Sequence, residues 1–202
     1  HDDAQSEHGY VGDTVPYGYG TIPADPNWSI TRVTIPWYLY RHYGDRAVLE
    51  RHYEAMRRYV DYWQGVSDDG IVPSEYANYG DWLTFENADG RRGLPFELFN
   101  TAFQYRTTDL FARIAAVLSR EADAARYDDR AAHVRDRFNE VFFDPDSATY
   151  GPGTQSSYAV PLFFGLVPDE HEDTVVSGLV EKVRRDGRKL KTGFLGSRAL
   201  LH

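Results

Sequence analysis

Five carboxylates, Glu75, Asp81, Glu86, Asp89 and Glu97, fall within 23 positions of the chain. Acid–base hydrolysis of a glycosidic bond needs two carboxyl groups facing each other across that bond. Sequence does not say which of the five could face each other, and the plainer reading is a solvated loop in an acidic protein. Glu97 also fits as an early-turn helix residue that stabilises the positive end of the helix dipole. Trp82 lies in the same span, straight after Gly80 and Asp81, where placement in a long loop favours ligand contact over a core position. Trp28, between Pro26 and a helix start, fits either role. Trp37 and Trp63 recur on helix-periodic faces and read as core.

Other chemistries find no support. The seven histidines show no paired ligand spacing: His171-Glu-Asp lacks the second histidine of a zinc-protease motif, and His42 and His52 fall on different helices. Asp144-Pro-Asp146 lacks the glycine and the glutamate that a calcium loop needs at its sixth and twelfth positions, so it reads as a turn and no metal is expected. There is no phosphate-binding loop, dinucleotide fingerprint or nucleophile elbow, and nothing calls for a cofactor. The chain has no cysteine, which removes disulfides and thiolate chemistry and leaves the compartment open. A net charge of -9 opposes binding to nucleic acid, and no apolar run approaches the roughly 20 residues of a membrane span.

These residues must be held by something, and the apolar pattern predicts helices. Residues 9–26 carry four Gly and three Pro and read as a structured loop. Asn27, which also begins the glycosylation sequon Asn27-Trp-Ser29, is expected to cap a helix that carries Ile30, Val33, Trp37 and Tyr40 and ends near Gly44. Leu49, Tyr53, Met56, Val60 and Trp63 predict an amphipathic helix. A long Gly/Pro-rich loop over 65–96 is then expected to be functional. A helical hairpin follows, from Glu97 to about Arg120 and on through Tyr127, Ala131, Val134, Phe138 and Val141, with further helices near 154–166 and 172–186. About seven helices, joined alternately by short turns and long loops, predict an all-α array of helical hairpins with function gathered at the long-loop end.

Four of the stretches just described carry a resemblance: Gly12-Asp-Thr-Val-Pro-Tyr-Gly18 with Asp25-Pro-Asn-Trp28; Ile35-Pro-Trp-Tyr-Leu-Tyr-Arg-His-Tyr-Gly-Asp45; Tyr79-Gly-Asp-Trp-Leu83; and Thr192-Gly-Phe-Leu-Gly196. In order and spacing they resemble the six-hairpin domain of bacterial glycoside hydrolase family 78, the α-L-rhamnosidases, along nearly the whole chain. The resemblance implies an all-α fold in which residues 1–202 form one partial domain, roughly half of an (α/α)6 barrel of twelve helices. Both ends are then expected to be cuts in that domain, and exposed barrel faces to favour self-association.

It further implies removal of terminal α-L-rhamnosyl groups from a rhamnose-containing glycoside, with inversion. The family's acid lies upstream of Val15-Pro-Tyr17 and its base downstream of Thr192-Gly-Phe-Leu-Gly196, so no catalytic residue is expected in this chain. What carries over is a sugar platform. Trp28 and Trp82 match positions whose indoles pack on the apolar face and methyl group of rhamnose, and Asp81 is expected to accept a hydrogen bond from a sugar hydroxyl. Ser29-Ile30 stands where many relatives have a small residue and then Asp, so polar contacts around Trp28 differ. The alternatives are a non-catalytic carbohydrate-binding or scaffolding module, and an (α/α)6 enzyme acting on another sugar.

Overall fold

A computed structural model describes residues 2–85 and 96–202. Glu86 and Asp89 lie outside the described residues. Among the described residues the regular structure is helical except for one short antiparallel pair, β1 (Phe143–Asp144) with β2 (Thr149–Tyr150), so the expected all-α class is the one observed.

The first helices start earlier than Asn27 would allow as a cap. Pro26 opens a single turn, α1 (Pro26–Ser29), and Asp25 precedes it. Proline is suited to the first helical position because its φ is preset and its missing N–H would be unpaired there anyway. Asn27 is therefore inside the turn rather than at its cap, and at 3% exposed it is too buried to act as a glycan acceptor. After Ile30 the chain continues as α2 (Thr31–Tyr43), which ends at Gly44 in the left-handed conformation, φ 69°.

Asp45 caps α3 (Arg46–Val66), its side chain accepting from the Val48 N–H. The predicted stripe of Leu49, Tyr53, Met56, Val60 and Trp63 is buried along that helix, with Val33 and Trp37 of α2 in the same core. Next come α4 (Phe96–Val117) and α5 (Glu121–Phe142), which form the predicted hairpin. Then α6 (Gln155–Phe164), capped by Thr154 and Ser157 reciprocally, precedes α7 (Glu172–Arg185) and α8 (Phe194–Leu200). Pairs α2–α3, α4–α5 and α6–α7 pack as hairpins, while α2, α4, α6 and α8 pack on one another in chain order.

The central helix, α4, buries polar side chains as well as apolar ones, and several of them reach the long loop. Thr101 Oγ1 accepts from the Val72 N–H, and Asn100 Nδ2 donates to the Tyr76 carbonyl. Unpaired backbone groups in a buried loop are costly, so these contacts fix where residues 72–76 lie. The long-loop end becomes a built surface.

Candidate functional site

Asp25 and Asp81 each hold one side of the site. The Asp25 carboxylate is fully buried, accepting from the backbone N–H groups of Asn78 (2.8 Å) and Tyr79 (3.0 Å) and from Asn78 Nδ2 (2.6 Å). Tyr79 then reaches the N-terminal loop, its hydroxyl donating to Asp13 Oδ2 at 2.9 Å, which also accepts from the Thr21 N–H and hydroxyl. Burial first, and the Asp13 contact second, raise the Tyr79 pKa, so the phenol stays a donor. The turn that carries Trp28 is pinned from below, where Ser29 Oγ lies 2.7 Å from the buried Tyr59 hydroxyl and donates to the Asp25 carbonyl.

Asp81 is 4% exposed. Its Oδ1 accepts from the N–H groups of Leu195 and Gly196, both at 2.9 Å, and its Oδ2 from the Gly193 N–H at 2.7 Å and the Ser156 hydroxyl at 2.5 Å. Four donors fill the roughly four lone-pair sites of a carboxylate. The expected hydrogen bond to a sugar hydroxyl is thereby corrected: Asp81 is a clamp that ties the long loop to the first turns of α6 and α8. The clamp explains the two glycines of Thr192-Gly-Phe-Leu-Gly196. A Cβ on Gly193 would overlap the Asp81 and Trp82 carbonyls, and one on Gly196 would overlap Ser156 Oγ.

With the loop so held, the Phe194 N–H donates to the Trp82 carbonyl at 2.8 Å, and aromatic rings gather. Trp28 meets Trp82 edge-on at 6.0 Å between centroids and Tyr79 edge-on at 5.7 Å; Phe194 lies nearly parallel to Trp28, 17° between planes, at 5.7 Å. Trp82 is 50% and Phe194 64% exposed. Exposed rings held by a rigid frame suit an apolar sugar face, since they expose area and lose little freedom on binding. Trp28 and Trp82, distant in sequence, are brought together. Phe194 was missed by the sequence reading; the motif around it was visible, its contact with Trp28 was not.

The remaining acids stand apart. Glu75 is exposed on a one-turn helix, Ser74–Tyr76, lining a shallow groove with Tyr17 and Ile22, and Glu97 is half-buried in the first turn of α4. Among the described residues no three His, Cys, Asp or Glu side chains cluster as a metal site, and no helix is long and apolar enough to cross a membrane. Trp37 and Trp63 are buried in the core. Beside the aromatic cluster opens a cavity of about 270 Å³ lined by Asn27, Trp28, Tyr38, Val160, Phe194 and Arg198 among others. Arg198 Nη2 donates to the Tyr38 hydroxyl at 3.0 Å, joining α8 to α2 beside it.

The model of one family, the bacterial alpha-L-rhamnosidase six-hairpin glycosidase domain, matches residues 1–202. The chain belongs to that family. An alpha-L-rhamnosidase of Streptomyces avermitilis is 33% identical over 199 residues, covering 98% of this chain and 18% of its own length. One from Formosa agariphila is 30% identical over 197 residues, 96% of this chain and 21% of its own. Among solved structures, the alpha-L-rhamnosidase of Dictyoglumus thermophilum superposes with a TM-score of 0.90 at 32% identity, over 98% of this chain and 23% of that one. The Streptomyces avermitilis enzyme complexed with L-rhamnose gives 0.88 at 31%, over 98% and 18%. This rhamnosidase-family chain thus spans about a fifth of the length of the relatives it matches.

Proposed function

We propose that residues 1–202 are the central part of a six-hairpin domain in an inverting glycoside hydrolase that removes terminal α-L-rhamnosyl groups. The observation that carries this reading is the aromatic cluster in which half-buried Trp28 meets exposed Trp82 and Phe194, on a chain whose relatives include an alpha-L-rhamnosidase complexed with L-rhamnose. Trp28 and Trp82 take the apolar face and methyl group of the sugar. The acid and base belong to other parts of the complete domain, because Asp25 and Asp81 are occupied as backbone acceptors and inversion needs two carboxyl groups about 6.5–9.5 Å apart with room for water.

Packing supports the partial-domain reading. Helix α2 buries Val33, Pro36 and Trp37 on one side and exposes Ile35, Tyr38, Leu39 and Tyr43 on another. A helix apolar on both sides is one that is covered on both sides, and the further hairpins of the same domain supply that cover. Without them the face favours self-association. The net charge of -9 turns nucleic acid away, and a neutral rhamnoside meets no such barrier.

The test is hydrolysis of p-nitrophenyl α-L-rhamnoside by the complete domain beside residues 1–202 alone, with the anomeric form of the released sugar followed by NMR. Hydrolysis with inversion by the complete domain only supports the proposal. Hydrolysis by residues 1–202 alone would put the acid and base among acids such as Glu75 or Glu97 and overturn the division of labour.

A further inference from the structure

All three lysines of the chain, Lys182, Lys189 and Lys191, fall within one stretch of ten residues. With Arg184, Arg185 and Arg188 they make six basic residues beside a single acid, Asp186, in a chain that is acidic as a whole. Elsewhere the cations are matched. Every arginine of α4 and α5 pairs with a carboxylate: Arg106 and Arg113 with Asp109, Arg126 and Arg130 with Asp61, Arg135 with Asp136 and Arg137 with Asp69. Among the described residues no such pair reaches Arg188, Lys189 or Lys191, the first two exposed and the third half-buried. The backbone that carries them is nevertheless fixed. Gln155, fully buried, donates to the Lys189 carbonyl at 2.9 Å and accepts from the Lys191 N–H at 3.2 Å. The Lys191 carbonyl in turn accepts from the Phe85 N–H at 3.0 Å and the Thr84 hydroxyl at 3.1 Å. Arg188 is held at φ 56°, a left-handed conformation unfavourable to a residue with a Cβ and one that gathers at functional sites. Phe194 follows Lys191 by three residues, at most about 11 Å of chain, and its N–H bonds the Trp82 carbonyl. The unmatched cations therefore border the aromatic cluster.

We propose that Lys189 and Lys191, with Arg188 beside them, bind the carboxylate of a uronate that follows the terminal rhamnosyl group, so that the complete domain acts on an acidic saccharide. The rhamnosyl group in this statement rests on the rhamnoside reading above; the cationic edge rests on the unmatched charges. Cations along the rim of a site raise the local concentration of anions and speed their encounter, and salt confines that field to roughly 8–10 Å, so a local edge acts even on an acidic protein. Lysine suits a carboxylate that arrives at varied angles, because its ammonium is a point charge on a flexible stem, whereas the arginine fork demands fixed geometry. The acids of this corner do not compete for the edge. Asp186 is held by Lys182 and Gln155 Nε2, each at 2.8 Å, and Glu181 lies beside Arg184 and Arg185. Asp81 is 4% exposed and already accepts from Gly193, Leu195, Gly196 and Ser156.

The experiment compares two disaccharides, an α-L-rhamnosyl glucuronate and the matching α-L-rhamnosyl glucose, as substrates of the complete domain. The readout is the ratio of kcat/KM for the acidic over the neutral one, which a partly unfolded variant leaves unmoved because both substrates lose alike. Wild type is expected to prefer the acidic disaccharide, and the double variant Lys189→Gln with Lys191→Gln to lower the ratio on the order of 3- to 10-fold. Lys189→Arg with Lys191→Arg keeps the charge and should keep most of the preference. Raising salt from about 50 to about 500 mM should lower the wild-type ratio as screening shortens the field. Hydrolysis of both disaccharides at a ratio that the glutamine variant does not change overturns the cationic edge and leaves the rhamnoside reading standing. An equal fall in the arginine and glutamine variants overturns the assignment to charge. If neither disaccharide nor p-nitrophenyl α-L-rhamnoside is cleaved, the rhamnoside reading falls, and calorimetry with the intact acidic disaccharide decides the edge: binding lost in the glutamine variant supports it, and binding that is absent or independent of the lysines overturns it.

Discussion

The Gly193 N–H and Asp81 Oδ2 meet at 2.7 Å across 112 positions of sequence. That bond and its three companions set where Trp82 and Phe194 stand, because the Phe194 N–H bonds the Trp82 carbonyl inside the same clamp. Asp81→Asn replaces an acceptor oxygen with an NH₂ group that faces backbone donors. We expect a loss of about 3 kcal/mol, a lowered melting temperature, and weakened sugar binding as the two rings drift apart. An Asp81→Asn protein that melts with wild type would remove the clamp from the account.

Two glycine substitutions separate close packing from flexibility. Gly196 lies inside α8 where a Cβ would overlap Ser156 Oγ and come within 2.7 Å of Asp81 Oδ2. Gly65 lies in α3 with nothing within 4 Å of its Cβ position. Gly196→Ala should cost about 2 kcal/mol by overpacking, whereas Gly65→Ala should add about 0.5–1 kcal/mol through helix propensity. Chemical denaturation of both variants checks the pair, and equal effects would contradict the clamp geometry.

Alkaline stability follows from the buried phenols. Burial, aided by the Asp123 and Asp61 contacts, raises Tyr53 and Tyr127; burial also raises Tyr59 and Tyr150 and pushes Tyr62 up to about 12. The unfolded value is about 10, so the folded values are the higher ones. Their contribution to stability is complete below pH ~10 and is lost as pH rises through the folded values. Tyrosinate absorbance and helical circular dichroism should therefore change together above pH ~10 for these residues. Their ionisation near pH ~10 with helices intact would contradict the packing.

The two-sided α2 predicts association. Residues 1–202 on their own should sediment as more than a monomer, and Tyr38→Lys with Leu39→Lys, placed on the exposed face, should shift them toward monomer without unfolding. A compact monomer of the unaltered chain would favour a self-sufficient domain over a part of a larger one.

How much of this was legible in the sequence depends on range. Helices α3 and α5 were readable because Leu49, Tyr53, Met56, Val60 and Trp63, and later Tyr127, Ala131, Val134 and Phe138, bury one periodic face, whereas α4 is buried on nearly all sides. The start of α1 was misread by one local rule overriding another: Pro26 opens the turn, which leaves Asn27 inside it. Asp81 was marked as important for a reason that does not hold, since its donors Gly193, Leu195 and Gly196 are more than a hundred positions away. The same distance hid Phe194 against Trp28. Pairing of Trp28 with Trp82 came from the family resemblance rather than from periodicity.

The most direct test of the central claim, that the aromatic cluster binds the rhamnosyl group, is kcat/KM of Trp82→Ala in the complete domain with p-nitrophenyl α-L-rhamnoside. Trp82 is half exposed and fixed by its neighbours, so its removal should leave the melting temperature nearly unchanged. The account predicts a fall in kcat/KM on the order of 10- to 100-fold. An unchanged kcat/KM in a properly folded variant would contradict it and return Trp82 to the surface as an ordinary exposed ring.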